Sequence, residues 1–85
     1  MDTQRLVSAY KNPKQLFVLD GDEKMRLAEV FEILENMSSS LSFGHYILWN
    51  RTENWILEIF NALGFFAEYF LENGTVIGIK ISYVP

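Results

Sequence analysis

The stretch GFFAEYFLENGTVIGIKISYV, residues 64–84, decides how this chain folds. Asn73-Gly74 stands between two runs rich in aromatic and β-branched residues, the strongest short-range signal for a β-hairpin. Both faces of that hairpin carry apolar residues, so its register is open to two readings. A two-residue turn pairs Phe70 with Ile77, Glu68 with Ile79 and Phe66 with Ile81. It sets Glu68 among the isoleucines, which is costly on a buried face. A three-residue loop, Glu72-Asn73-Gly74, puts Gly74 at the left-handed position of a bulge. Tyr69 then faces Ile77, Ala67 faces Ile79 and Phe65 faces Ile81. A one-residue slip exchanges the faces, so burial decides, and the three-residue loop is expected.

The opposite face then holds Phe66, Glu68, Phe70, Val76, Gly78, Lys80, Ser82 and Val84. Two Phe and two Val exceed what a solvated sheet face needs. Two covers compete: the N-terminal segment, through Leu6, Val7 and Tyr10, or another chain. Strand 75–84 is read as a sheet edge, which invites pairing. Phe66, Phe70, Val76 and Val84 are therefore the candidate partner-binding residues.

Working back from the hairpin, Gly64 ends a helix capped by Thr52, with Trp55, Ile56, Ile59, Phe60 and Leu63 on one face. Residues 41–50, LSFGHYILWN, read either as a strand at His45–Trp49 or as a helix at Leu41–Leu48. Gly44 and the aromatics favour the strand. The segment 23–37 is a helix with Asp22 as N-cap and Leu27, Val30, Phe31, Leu34 and Met37 as its apolar stripe. Ser38–Ser40 end it. QLFVL, residues 15–19, reads as a short buried strand. A short helix begins after Thr3 and breaks at Asn12-Pro13.

These elements predict one α+β domain over residues 1–85: a small antiparallel-rich sheet with the C-terminal hairpin, packed on two amphipathic helices. The expected core joins Phe65, Tyr69, Ile77, Ile79 and Ile81 to Trp55, Ile59, Phe60, Phe31 and Leu34. A winged helix is the architectural alternative, with its second helix inside residues 40–48 and residues 65–84 as the wing.

Composition narrows function by exclusion. A chain of 85 residues has a thin stability margin. Seven Phe, four Tyr and two Trp supply unusually large buried area to offset it. With no cysteine, neither a disulfide nor a thiolate metal site is available, which fits a cytoplasmic protein. The first residues, MDTQRLVSAYKNPK, lack the apolar core of a signal peptide. The most apolar stretch, Trp55 to Leu71, is interrupted by Glu58, Asn61 and Glu68, so no membrane span is expected. Sequons at Asn36, Asn50 and Asn73 are read as caps and turns.

The net charge of −4 and the scattered cations Arg5, Lys11, Lys14, Lys24, Arg26, Arg51 and Lys80 argue against a polyanion partner. Asp20, Asp22 and Glu23 are the one local carboxylate cluster. The twelfth residue counted from Asp20 is Phe31, which fails the calcium-loop pattern, so capping is their expected role. The lone histidine, His45, has no triad context. No cofactor and no catalytic residue are assigned. The expected function is a small non-enzymatic interaction or regulatory module that binds another protein or a second copy of itself through the hairpin. A winged-helix DNA-binding regulator is the alternative, although TENWILEIFNAL, residues 52–63, carries no Lys or Arg. An acidic inhibitor of a nucleic-acid enzyme comes third.

Overall fold

In the computed structural model, which describes residues 3–83, a bulge reconciles turn chemistry with burial in the hairpin. Asn73 (φ 52°) and Gly74 (φ 79°) both adopt the left-handed region, as a two-residue Asn-Gly turn requires. Glu72 pairs with Thr75, and Leu71 with Val76. The register then shifts: Phe70 lies opposite Gly78, and Ile77 is the extra residue. Beyond the bulge Tyr69 faces Ile79, Glu68 faces Lys80 and Ala67 faces Ile81. The expected three-residue loop and its pairs are therefore not formed, but the face it assigned to Ala67, Tyr69, Ile79 and Ile81 is kept. One inserted residue reverses parity, which removes Glu68 from the isoleucine face that a plain two-residue register would give it.

The hairpin strands are β2 (Phe66–Glu72) and β3 (Thr75–Ser82), and β1 (His45–Trp49) completes a three-stranded antiparallel sheet in the order β1-β3-β2. Thus β3 is the central strand, not the expected edge. Residues 41–43 form a single 3-10 turn, and Gly44 takes a left-handed φ of 77° to start β1. The second helix required for the winged-helix alternative is absent from residues 40–48, because Gly44 and the ladder to β3 hold His45–Trp49 extended.

Three α-helices lie on one side of the sheet: α1 (Thr3–Lys11), α2 (Gly21–Ser38) and α3 (Asn54–Ala62). Helix α1 packs on α3 and α2, and its Leu6, Val7 and Ala9 enter the same core as Ile79 and Ile81. The N-terminal segment therefore does not cover the outer face of the hairpin. Helix α2 begins two residues earlier than expected. Asp20, not Asp22, accepts from the Glu23 N–H (2.8 Å), and Glu23 accepts from the Asp20 N–H (3.1 Å), a reciprocal capping box.

Its buried stripe is Leu27, Val30, Ile33 and Met37. Phe31, expected in the core, is 49% exposed and rests against the Tyr10 ring at 5.4 Å. Helix α3 buries Ile56, Ile59 and Phe60. Its N-cap is Glu53 rather than Thr52, and Gly64 (φ 99°) follows its last turn. Ile77 is a bulge residue outside the core cluster, whereas Phe65, Tyr69, Trp55 and Leu34 pack on its rim.

QLFVL is not a strand. Pro13 has a fixed φ and no N–H, and Asn12 caps the next turn by accepting from the Lys14 N–H at 3.2 Å. Residues 13–18 coil into a 3-10 helix that leaves Phe17 79% exposed, and of the expected strand only Leu19 is buried. Among the described residues no helix is long and apolar enough to cross a membrane.

Candidate interaction surface

The register of β1 assigns its side chains to faces. Tyr46 lies opposite Ile81 and Leu48 opposite Ile79, so these two join the core face. His45, Ile47 and Trp49 therefore share the outer face with Ser82, Lys80 and Gly78. Three cross-strand rows result: Trp49–Gly78–Phe70, Ile47–Lys80–Glu68 and His45–Ser82–Phe66.

The first row is packed by its ends. Trp49 and Phe70 come from strands that are not neighbours, yet their rings meet edge-on at 5.7 Å and 68° across Gly78. Rings closing over a strand glycine compensate for the side chain it lacks. Gly78 itself is required by a close approach: a Cβ there would stand 2.4 Å from the Leu48 carbonyl oxygen. The third row is looser. Phe66 is 53% exposed at one end of the face and Trp49 is 58% exposed at the other. Between them lie half-buried Ile47 and Lys80 and exposed Glu68.

Of the four candidate residues, Phe66 and Phe70 lie together on this face. Val76 does not, because the bulge places it opposite Leu71, on the other face from Phe70. Val84 lies outside the described residues. Trp49 and Ile47 are the additions. Their apolar character is plain in the sequence, but their facing follows only from the pairing of β1 with β3.

The other candidate chemistries are occupied structurally. Asp20 and Glu23 close the α2 cap, and Glu23, buried, also pairs with Arg5 at 3.1 Å. Arg51 grips Glu29 with both terminal nitrogens (2.6 and 3.0 Å) and Glu53 through Nε (3.0 Å). These hydrogen bonds, Glu29 first, raise the guanidinium pKa further above its ordinary range. The bond from Arg51 in turn holds the Glu53 carboxyl below the usual carboxylate range. The cluster ties the β1–α3 loop to α2. Arg26 lies over the Trp55 ring, 5.3 Å from its centroid. Among the described residues no group of three or more His, Asp and Glu is gathered to hold a metal ion. Asn50 and Asn73 both adopt positive φ, the turn role expected for them. No family model matches this chain, and neither a curated protein nor a solved structure shows significant similarity to it.

Proposed function

We propose that this chain is a small protein-interaction module and that the outer face of its sheet is the contact surface. The observation that carries the reading is the aromatic strip of Trp49, Phe70 and Phe66 on a face that none of the helices covers. Exposed apolar strips of this kind mark interaction sites, and Trp and other aromatics dominate binding energy where they are found. The central Lys80–Glu68 row adds polar groups that fix a partner's orientation. The module acts by occupying its partner rather than by chemistry, a reading supported by the engagement of Asp20, Glu23, Glu29, Glu53, Arg5 and Arg51 in caps and ion pairs.

The test is a double variant, Phe66→Glu with Phe70→Glu, compared with wild type as immobilised bait at equal loading. Proteins retained by wild type are expected to be lost from the variant while its far-ultraviolet circular dichroism is unchanged. Equal retention by both would overturn this face as the contact surface.

A further inference from the structure

The two edges of the sheet are finished differently, and we infer from this that the chain also pairs with a second copy of itself, joined edge to edge through β1 into one continuous antiparallel sheet. The inference goes beyond the interaction-module reading: the β1 edge is a second contact, and the outer face stays open to its own partner in the paired form. In an antiparallel ladder alternate residues turn their N–H and C=O groups away from the neighbouring strand. On β2 Ala67 is one of them, and it is capped: the Asn61 amide accepts from its N–H (2.9 Å) and donates to its C=O (3.1 Å). The same strand carries Glu68 and Glu72, and charges on an edge discourage pairing.

Strand β1 has none of these devices. Asn50 N–H bonds the Ile77 carbonyl (2.9 Å) and Tyr83 N–H bonds the Gly44 carbonyl (3.1 Å), which sets the alternation. His45, Ile47 and Trp49 therefore aim their backbone groups outward. Among the described residues nothing is bonded to those groups. The sequence HYILW contains no Pro, Lys or carboxylate.

A two-fold axis at Ile47 makes this edge complementary to itself. His45 meets Trp49 of the second copy, Tyr46 meets Leu48 and Ile47 meets Ile47, so the outward groups of His45, Ile47 and Trp49 are all paired and no charged side chains are opposed. On the strands, the nearest like charges across the axis, the two Lys80 side chains, stand three strand spacings apart, roughly 14 Å, beyond the screening length of about 8 Å at physiological salt. The outer-face rows of the two copies run on as one surface.

Sedimentation equilibrium from roughly 1 µM to 1 mM tests the pairing. Wild type is expected to dimerise. Ile47→Glu is expected to be monomeric with unchanged far-ultraviolet circular dichroism, because the new carboxylate lies across from Lys80 within the chain but against its own copy at the axis. Phe66→Glu is expected to remain dimeric. Because the chain has no cysteine, Ile47→Cys provides a second measurement. Residues paired at the axis stand about 5.5 Å apart at Cα, within disulfide reach, so this variant is expected to crosslink to itself and Glu72→Cys is not. A wild type monomeric throughout the range would overturn self-pairing. A dimer broken by Phe66→Glu but not by Ile47→Glu would overturn the edge while leaving the outer face as the contact surface. Equal crosslinking of the two cysteine variants would also overturn it, even if Ile47→Glu failed to fold.

Discussion

The two faces of the sheet are both apolar, yet they are built from different residues and meet different fates. The core face presents Tyr46, Leu48, Ala67, Tyr69, Ile79 and Ile81 to three helices, and its centre is sealed. The outer face presents Ile47, Trp49, Phe66 and Phe70, with a lysine and a glutamate among them, and no helix lies over it. Ile79 and Ile81 fill the middle of the covered side between Tyr46 and Tyr69, whereas Trp49, Phe66 and Phe70 dominate the open one. Hydrophobicity alone does not separate a covered face from an open one here. What separates them is whether the rest of the chain brings matching ridges to the face.

The largest expected difference between the faces comes from truncating the centre of the covered one. Ile79 is fully buried on the middle strand, so Ile79→Ala is expected to cost about 2–5 kcal/mol. That is a large part of the roughly 4–13 kcal/mol a chain this size has in total. A urea midpoint unchanged by Ile79→Ala would mean that the faces are assigned the wrong way round. Next in size is Gly78→Ala, on the outer face but hard against the backbone of β1. Its Cβ would drive into the Leu48 carbonyl, a backbone atom that can move only with β1. A loss of about 1–3 kcal/mol is expected, with a change in Trp fluorescence as Trp49 shifts. A neutral result would show that β1 gives way easily.

How much of this was legible in the sequence depends on the range of the forces involved. Asn73-Gly74 specifies its own turn, and that was readable. The bulge at Ile77 was not, because it balances the cost of burying Glu68 against the approach of Gly78 to a strand thirty residues away in sequence. Gly44 and the β-favouring residues after it marked β1 correctly. The capping box was present as Asp20 and Glu23, three apart, and was misread by placing the cap on Asp22. Phe31 and Ile33 flank Val30 on the helix, and only the roll of α2 on the core chooses between them. For the proposed contact surface, the shared face of Phe66 and Phe70 is legible from alternation within β2. The facing of Trp49 and Ile47 is not, since the register of β1 is set by its neighbour rather than by its own residues.

A smaller effect sharpens the covered side. Tyr83 follows β3 on the core side, packs edge-on against Phe65 at 6.1 Å, and donates its hydroxyl hydrogen to the Met37 carbonyl in the last turn of α2. Burial pushes its phenol above the ordinary value near 10. A raised folded pKa means that the contribution of this group is whole below the unfolded value and is lost as pH rises through the folded one. Phenolate absorbance is expected to include a late step from Tyr83, and Tyr83→Phe to remove that step at a cost of about 0.5–1.5 kcal/mol. A phenolate titration left unchanged by Tyr83→Phe at its late end would place Tyr83 in solvent and detach the sheet from the end of α2.

The smallest expected effect on stability is the most informative about the open side. Phe66 is half exposed, lies on the edge strand and stands opposite Ser82, outside the core cluster. Phe66→Ser is therefore expected to change the unfolding free energy by no more than about 0.5 kcal/mol. The same substitution is expected to weaken binding of a partner seated on the outer face at least about tenfold, since an aromatic anchor in an interface is worth more than 1 kcal/mol when truncated. Stability kept while binding is lost is the pattern of a contact surface, the reverse of what Ile79→Ala produces. A stability loss comparable with that of Ile79→Ala would mean that the ring is packed within its own chain. The outer face would then be a second core, and the contact surface would have to be sought among the exposed Phe17 and Phe43 of the two 3-10 turns.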